Sequence, residues 1–337
     1  MVAGAPIALL IGTRAGLFRW HGGSLAPIGT GSDAITALAP LPGSQVAAAT
    51  ERGRLLRVRP DGAVAAIDET PGSESIASLH WVPGPASRTA GTLLVGTAAG
   101  RLLASDDLGA TFHRVEPLAH GTAAPLVVVG IPGRPRSALL LVARREILLL
   151  ADPSGALEPW HADGTDALVQ LAADPGDAEL WLARATHGVA RSRDGARTFA
   201  AVAGWPAGLR PRALHVAAAP RPRVVVVAWP GTEPPDPSDP SPLWLSADAG
   251  LCFHPVASRL VDRARDPSGE LTTVASWRER DGGVLAFGTD RGEILAWSDE
   301  ARPARLLADG LPPIETLLAA PTDATIDPST SGIHLLP

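Results

Sequence analysis

The feature that most constrains this chain is a short unit that recurs along its length. The unit consists of an apolar run, a turn of the form Thr-x-x-Gly, and a second apolar run. Clear copies begin their turns at Thr13, Thr50, Thr97 and Thr289, and worn copies lie at residues 140–147, at residues 181–189 and, interrupted, at residues 224–245. A period of roughly 40 to 55 residues built of strands predicts a β-propeller, in which each repeat is one blade.

Seven copies account for nearly all of the 337 residues. We therefore expect an all-β chain that forms a single seven-bladed β-propeller over residues 1–337. A Pro-rich segment, 230–242, is expected to be a loop insertion within a blade, because strand-like sequence continues on both sides of it. A second irregular segment, 257–269, lengthens the connection that follows, and both should project from the same face of the ring.

A second kind of apolar run precedes most of the turns and often ends in proline, as at residues 35–42 and 76–83. These runs are predicted to be the innermost strands of the blades. The seventh run, 314–321, comes near the carboxyl end, whereas the first blade has no such run before Leu9. The C-terminal strand is therefore expected to complete the N-terminal blade and to close the ring, which removes exposed sheet edges.

Composition excludes several kinds of site and partner. The chain has no Lys, Asn or Tyr, so a Lys Schiff base, a Tyr nucleophile and an Asn ligand are unavailable. A net charge of −6 without a basic block argues against nucleic acid as a partner. Cys252 is the single cysteine, so neither an intrachain disulfide nor a thiolate metal cluster can form. No apolar run approaches the ~18 residues of a membrane span, and the amino terminus lacks the features of a signal peptide; we expect a cytoplasmic protein.

Three repeats carry a further turn with the pattern Ser-x-Asp-x-x-x-Thr-aromatic. Its structural residues are Ser105, Asp107 and Gly109 in the first copy, Ser192 and Asp194 in the second, and Ser246, Asp248 and Gly250 in the third. The Asp is suited to accept backbone N–H bonds, glycine tolerates positive φ, and the aromatic residue is suited to pack between neighbouring sheets. Two copies depart from the pattern: Ala196 occupies the position of Gly109 and Gly250, and Cys252 replaces the threonine.

This turn resembles the Asp-box, or BNR, hairpin of sialidase-like and WD40/YVTN/BNR-like propellers. The resemblance extends over nearly the whole chain at the level of the repeat, and it implies a structural role for these turns, away from the functional face. A canonical sialidase is excluded because it needs a Tyr nucleophile. The calcium ligands of lactonase-like propellers typically include Asn, and four-His iron oxygenases need four inner-strand histidines, whereas only His80 and His215 fall on predicted inner strands.

Charged residues just before the predicted inner strands should lie near the mouth of the central channel. The weak candidates for acid–base chemistry there are Asp33, Glu74, His161, Asp166 and Glu315, and Arg212 and Glu270 occupy similar positions. An acidic ring with one or two arginines could hold a cation, a basic peptide or a polar small molecule. The alternative is that these residues are solvated strand ends or caps, and no metal or cofactor is assigned to them.

The two irregular segments are the candidate contact site for another protein, because departures from a repeat usually map to the face that binds. Prolines lower the cost of ordering a docking loop, and arginine is favoured at interfaces. The candidate binding residues are Arg212, Glu233, Asp236, Asp239, Arg259, Arg263 and Arg265. Tolerated surface insertions would give the same pattern.

Two functions are compatible with these observations. The first is a non-catalytic protein-interaction or assembly module, favoured because no convincing catalytic set is present. The second is a lyase or hydrolase acting on a small molecule or carbohydrate, with Asp, Glu and His at the channel mouth. An enzyme should gather two or more of the acid–base candidates in one deep pocket, whereas a module should present a flatter face.

Overall fold

A computed structural model of the chain describes residues 7–67, 74–84, 91–115, 125–134, 137–142, 146–151, 157–160, 167–206, 208–217, 223–230, 243–256, 270–279, 282–298 and 304–321. Within these residues the regular structure is entirely β-strand, arranged as seven four-stranded antiparallel sheets. The part of the chain so described contains no helix that is long and apolar enough to cross a membrane.

The blades follow one another along the chain, with the exception of the first, which takes its inner strand from the other end. Blade 1 comprises β1 (Ile7–Thr13), β2 (Gly16–His21), β3 (Ser24–Ile28) and β28 (Ile314–Pro321). Blade 2 comprises β4 (Ile35–Leu41), β5 (Gln45–Thr50), β6 (Leu55–Val58) and β7 (Val64–Ile67). Blade 3 comprises β8 (Ile76–Pro83), β9 (Gly91–Thr97), β10 (Leu102–Ser105) and β11 (His113–Arg114). Blade 4 comprises β12 (Val127–Gly130), β13 (Ala138–Val142), β14 (Glu146–Leu150) and β15 (Leu157–Pro159).

The remaining three blades have the same order of strands. Blade 5 comprises β16 (Leu168–Asp174), β17 (Asp177–Ala185), β18 (Val189–Ser192) and β19 (Ala200–Ala201). Blade 6 comprises β20 (Leu209–Ala217), β21 (Arg223–Pro230), β22 (Leu243–Ser246) and β23 (His254–Pro255). Blade 7 comprises β24 (Leu271–Glu279), β25 (Gly282–Thr289), β26 (Ile294–Trp297) and β27 (Arg305–Ala308). The all-β, seven-bladed propeller that the repeats predict is confirmed.

The core is divided among the seams between blades. Seven clusters of buried apolar side chains are present in the described residues, one between each pair of neighbouring blades. Middle strands such as β9 are buried on both faces, which is why they appear in the sequence as continuous apolar runs rather than as an alternating pattern. Each blade therefore depends on two neighbours for its core.

The ring is closed by the C-terminal strand, as expected from the missing inner strand of the first repeat. β28 pairs antiparallel with β1, with Leu318 opposite Leu10 and Pro321 opposite Ile7. The inner strands β4, β8, β12, β16, β20, β24 and β28 contact one another in succession, and β28 contacts β4 to complete the circle. Each of these inner strands therefore contacts the inner strand of the blade on either side.

The Thr-x-x-Gly turns are explained by their hydrogen bonds. At Thr97, the hydroxyl accepts a bond from the Arg101 amide at 3.1 Å, and the carbonyl accepts one from the Gly100 amide at 3.1 Å. Gly100 has φ of +81°, a conformation that glycine adopts at low cost. The same bonds recur at Thr50 and Thr289. In each turn, the threonine hydroxyl takes the place of a backbone acceptor for the amide four residues later.

Most inner strands carry a bulge at their second residue. The register shifts there in β4, β8, β16 and β24 and, against β1, in β28, whereas in β20 it shifts at the fourth residue. A bulge leaves one residue unpaired and turns its side chain away from the regular face. The residues so placed are Thr36, Ala77, Val169, Arg212, Thr272 and Glu315.

One inner strand begins earlier than the sequence predicts. The apolar run suggested a start at Leu214, but β20 begins at Leu209. Arg212 therefore does not precede the strand but occupies its bulge. The reason is that alternating polar residues at this end, Arg210 and Arg212, are exposed while Leu209 and Pro211 are buried, a pattern of a half-buried strand that does not show as an apolar run.

Candidate functional site at the channel mouth

One end of the ring, here called the mouth face, gathers the beginnings of the inner strands, the Thr-x-x-Gly turns and the connections between blades. Antiparallel pairing places these features together, since an inner strand begins where the next strand ends. Among the described residues, a backbone bond ties them in blades 1, 2, 3, 5 and 7: the residue after the position of the turn threonine donates to the residue that precedes the inner strand. Examples are Glu51 to Ala34 at 2.9 Å and Ala98 to Ser75 at 2.8 Å.

The carboxylates expected at the mouth are engaged by arginines of the neighbouring turn. Asp33 lies 3.5 Å from Arg52 Nε and 3.4 Å from Arg54 Nη1. Its side chain is 12% exposed, whereas that of Arg52 is 80% exposed. The acid is therefore shielded and its partner faces solvent.

The same arrangement recurs in two further blades. Glu74 accepts from Arg101 Nη1 at 2.8 Å, and Glu315 accepts from Arg14 Nε at 2.5 Å. The hydrogen bond and the charge of Glu315 raise the pKa of Arg14 above its ordinary value. Arg14 lies within its Thr-x-x-Gly turn and Arg101 directly follows its own, so the same turn, although at different positions, supplies the cation in blades 1, 2 and 3.

A fourth pair joins two blades. The bulge residue Arg212 of blade 6 pairs with Glu270, which directly precedes β24 of blade 7. The Glu270 amide in turn donates to Asp290 Oδ1 at 2.7 Å. Arg212 lies on β20, which pairs with β21, the strand that ends at Pro230, and Glu270 directly follows residues 257–269.

The proposed acid–base candidates are thus distributed among separate ion pairs. Asp33, Glu74 and Glu315 belong to three different blades, and each faces arginine rather than another carboxylate. His161 and Asp166 lie outside the described residues. No group of three or more His, Cys, Asp or Glu in the described ranges is arranged to hold a metal ion.

Most of the expected protein-contact residues also lie outside the described part of the chain: Glu233, Asp236, Asp239, Arg259, Arg263 and Arg265. The strands that flank them are described. β21 ends at Pro230 and β22 begins at Leu243, while β23 ends at Pro255 and β24 begins at Leu271. By the order of strands in blades 6 and 7, all four ends lie on the mouth face.

Sequence reasoning missed the polar links that join inner strands across the seams. Gln170 is 3% exposed; its Nε2 donates to the Leu214 carbonyl at 3.0 Å and its Oε1 accepts from the Leu214 amide at 3.2 Å. Ser78 Oγ donates to the Leu126 carbonyl at 2.6 Å and accepts from the Val128 amide at 3.2 Å. In the sequence, such a link is visible as a single polar residue within an apolar run. The side chain of that residue provides hydrogen-bond partners for backbone groups of the next inner strand.

The two inner-strand histidines are confirmed on β8 and β20. His215 Nε2 shares a hydrogen bond with Ser276 Oγ of blade 7 at 2.7 Å. Burial lowers the pKa of His215 to about 4, because the charged imidazolium would lose its hydration. At neutral pH the imidazole of His215 is therefore uncharged, and its hydrogen bond links blades 6 and 7.

The three Ser-x-Asp turns lie at the opposite face, between the third and fourth strands of blades 3, 5 and 6. Asp107 accepts from the Thr111 amide at 2.8 Å and from its hydroxyl at 2.6 Å, and Ser105 Oγ accepts from the Gly109 amide at 2.7 Å. Non-glycine residues also adopt positive φ here, namely Leu108 at 59°, Ala196 at 67° and Ala249 at 59°. These contacts are internal to the hairpins and organise the turn.

Comparison with known proteins gives a likeness of fold. No family model matches the chain, and no curated protein matches its sequence. Among solved structures, a GH74 xyloglucanase from Xanthomonas campestris aligns with a TM-score of 0.60 and 18% identity, covering 86% of this chain and 46% of its own. This chain therefore spans about half of that enzyme. YCF48 bound to D1 peptide aligns with a TM-score of 0.60 and 11% identity, covering 89% and 85% of the two chains.

A further solved structure, YCF48 from Cyanidioschyzon merolae, aligns with a TM-score of 0.58 and 13% identity, covering 89% of this chain and 94% of its own. The similar structures thus include a glycoside hydrolase and a protein bound to a peptide. At these identities the likeness shows the seven-bladed fold alone.

Proposed function

We propose that this chain is a non-catalytic protein-interaction or assembly module of the BNR type that binds another protein through its mouth face. The observation that supports this proposal is the pairing of the mouth carboxylates with arginines. Each of Asp33, Glu74 and Glu315 has its charge balanced within its own blade. A general acid–base pair needs two titratable groups directed at one reacting centre.

The pairing also determines what a partner would meet. The arginine is the more exposed member of each of these pairs, with Arg14 at 68%, Arg52 at 80% and Arg101 at 46%. Exposed guanidinium groups on a rigid ring are suited to bidentate contact with carboxylates of a partner. We expect the segments 230–242 and 257–269 to contribute to the same contact, since the strands on either side of them end or begin at this face.

The test uses single charge reversals on the two faces. Wild type, Arg52→Glu and Arg134→Glu would each be purified from the native host at moderate salt and examined by native mass spectrometry. Arg134 is an exposed arginine in the turn between β12 and β13, on the face away from the mouth, and is the matched control. We expect a stoichiometric protein partner with wild type and Arg134→Glu, and loss of about tenfold or more in affinity with Arg52→Glu.

Two results would contradict the proposal. If wild type and both variants bound the partner with equal affinity, the mouth face would not be the contact surface. A monomer that turns over a glycoside or other small substrate, with activity abolished by Glu74→Gln, would instead establish the enzyme hypothesis.

A further inference from the structure

The three Ser-x-Asp turns have a packing role at the seams. Phe112 of blade 3 packs against the cluster shared with blade 2, Phe199 of blade 5 against the cluster shared with blade 4, and Phe253 of blade 6 against the cluster shared with blade 5. At each of these seams, an aromatic side chain from the turn between the third and fourth strands fills the space beside the preceding blade.

Blade 2 has no such aromatic residue at the equivalent turn. Its turn, residues 59–63, is a tight one in which the Gly62 amide donates to the Arg59 carbonyl at 2.9 Å and the Ala63 amide to Asp61 Oδ1 at 2.9 Å. A cavity of about 30 Å³ lies where this turn meets blade 1. We call it the seam groove; its walls include Leu10, Ile28, Val46 and Val58.

A buried polar residue lies in the wall of the seam groove. Ser44 lines it and is only 7% exposed, and its hydroxyl has no hydrogen-bond partner among the described residues. Its backbone φ is +58°, a conformation costly for a residue other than glycine. An unsatisfied buried hydroxyl on a strained turn calls for a specific explanation, and a bound group is one that also accounts for the open space.

The rim of the groove is basic. Arg19, half-buried, donates from Nη1 to the Pro60 carbonyl at 2.9 Å, and among the described residues no carboxylate pairs with it. Arg59 lies beside it and pairs with Asp61 at 3.2 Å. The three side chains sum to one positive charge beside an apolar floor.

We propose that the seam groove binds the carboxy-terminal residue of a partner polypeptide when that residue is a branched aliphatic one. The end of the side chain enters the groove, at a seam where the turn supplies no phenylalanine. The α-carboxylate accepts from the free N–H groups of Arg19, and the Ser44 hydroxyl donates to a backbone oxygen of the bound residue. A cavity of this size, about 30 Å³, exceeds the about 10–15 Å³ that one water needs, so a terminal methyl group of a branched side chain is a suitable occupant.

The groove lies on the face opposite the mouth, at the ends of β28 and β6. It therefore supplies a contact distinct from the proposed function, and either can fail alone.

The experiment follows the methyl resonances of Leu10, Ile28, Val46 and Val58 in the full chain, labelled at Ile, Leu and Val methyl groups. The probe is the peptide acetyl-Ala-Ser-Gly-Leu with a free carboxylate, and its carboxamide is the matched ligand control. We expect saturable shifts confined to these methyl groups, with Kd on the order of 1 mM or tighter. The carboxamide should bind about fivefold to tenfold more weakly.

Variants test the cation. Arg19→Gln should reduce the affinity for the free-acid peptide to that for the carboxamide. Arg19→Lys and the control Arg134→Gln should retain most of the affinity for the free-acid peptide. The ligand comparison needs no variant, so the proposal is testable even if Arg19→Gln fails to fold.

Three results would overturn the proposal. They are the absence of saturable shifts at the four methyl groups, equal binding of acid and carboxamide, and binding of 4-methylpentanoate as tight as that of the peptide. The last would make the groove a site for small free acids rather than for a polypeptide end.

Discussion

Asp107 and Asp194 each accept hydrogen bonds from both the amide and the hydroxyl of the threonine four residues later, whereas Asp248 has Cys252 at that position. These bonds favour the carboxylate form. The side-chain and backbone bonds from Thr111 hold the pKa of Asp107 at about 2. The pKa of Asp194 is also about 2: although partial desolvation opposes the shift, the bonds from Thr198 and Ser192 outweigh it. In Asp248 the amide bond from Cys252 lowers the pKa first, with Ser246 adding to it.

Restoring the threonine should strengthen the third turn. Cys252→Thr gives Asp248 a hydroxyl donor like that of Thr111, and because the site is exposed we expect a gain of about 0.5 kcal/mol in the free energy of unfolding. The gain should be present above the unfolded pKa of about 4 and lost as pH falls through the folded pKa. Urea unfolding at pH 7 and at about pH 2, the folded pKa of Asp107 and Asp194, measures both. Cys252→Val, which has no hydroxyl, is the control; an equal gain from it would show that the effect is not the hydrogen bond.

Glycine at the end of the second strand is required by close packing. A Cβ built on Gly288 would lie 2.6 Å from Ile314 Cγ2 of blade 1 and 2.9 Å from Thr273 Cγ2 of its own blade. Gly12 meets the equivalent contacts with Thr316 at 2.5 Å and Ile35 at 2.8 Å. The repeated Gly-Thr pair thus sets how near the inner strand of the next blade can come.

Gly288→Ala should therefore overpack the seam between blades 7 and 1. We expect a loss of about 1–3 kcal/mol in unfolding free energy, measured by thermal and urea unfolding. Gly29→Ala is the matched control, since nothing lies within 4 Å of its Cβ position and its backbone is outside the left-handed region. Equal effects at the two sites would argue against seam packing as the cause.

At the scale of the strand, the parts of the fold that repeat were predictable. The Thr-x-x-Gly turns, the inner runs and the exchange of β28 could be inferred because each depends on local patterns or on a count of repeats. The mouth ion pairs could not, since Arg101 and Glu74 come together only through antiparallel register and a bulge that apolar periodicity does not reveal. The same holds for Arg212, which was placed before β20 and lies inside it.

Inner strands expose one backbone edge towards the channel or the next strand, and side chains cover part of it. Gln170→Ala would leave the Leu214 amide and carbonyl, now bonded at 3.2 and 3.0 Å, without their partner. We expect a loss of about 1–3 kcal/mol in unfolding free energy and faster hydrogen exchange of the Leu214 amide. Val169→Ala, at the neighbouring bulge, is the control and should leave that amide protected. Unchanged exchange in Gln170→Ala would contradict the bridging role.

At the scale of the whole ring, stability depends on closure because every blade shares its core with two others. Deleting residues 314–337 removes β28, which is one of the two strands paired with β1, and also removes the Arg14–Glu315 pair. We expect loss of a single cooperative unfolding transition and exposure of apolar surface that binds a hydrophobic dye. Deleting only 322–337 keeps every described closure contact and should preserve cooperativity. A ring that unfolds cooperatively without β28 would show that closure is dispensable.

We expect His215 to make the stability of the ring sensitive to acid. Burial depresses its folded pKa to about 4, below the ordinary value of about 6.5 for an unfolded chain. Between these values the unfolded chain takes up a proton that the folded ring does not, so stability should fall as pH drops from about 6.5 to about 4, by a total on the order of 3 kcal/mol. Below that range His215 makes no further contribution to the change of stability with pH.

The substitution His215→Gln keeps a donor and acceptor for Ser276 Oγ, now 2.7 Å from Nε2, but does not titrate. Urea unfolding across pH 4 to 7 should therefore show a shallower pH dependence than wild type, with the two curves converging in shape above pH 7. Ser276→Ala removes the partner and leaves the buried ring, so its curve should lie lower at every pH and keep the wild-type slope. If His215→Gln retained that slope as well, the protons would be taken up elsewhere and the seam between blades 6 and 7 would not be the acid-sensitive element of the propeller.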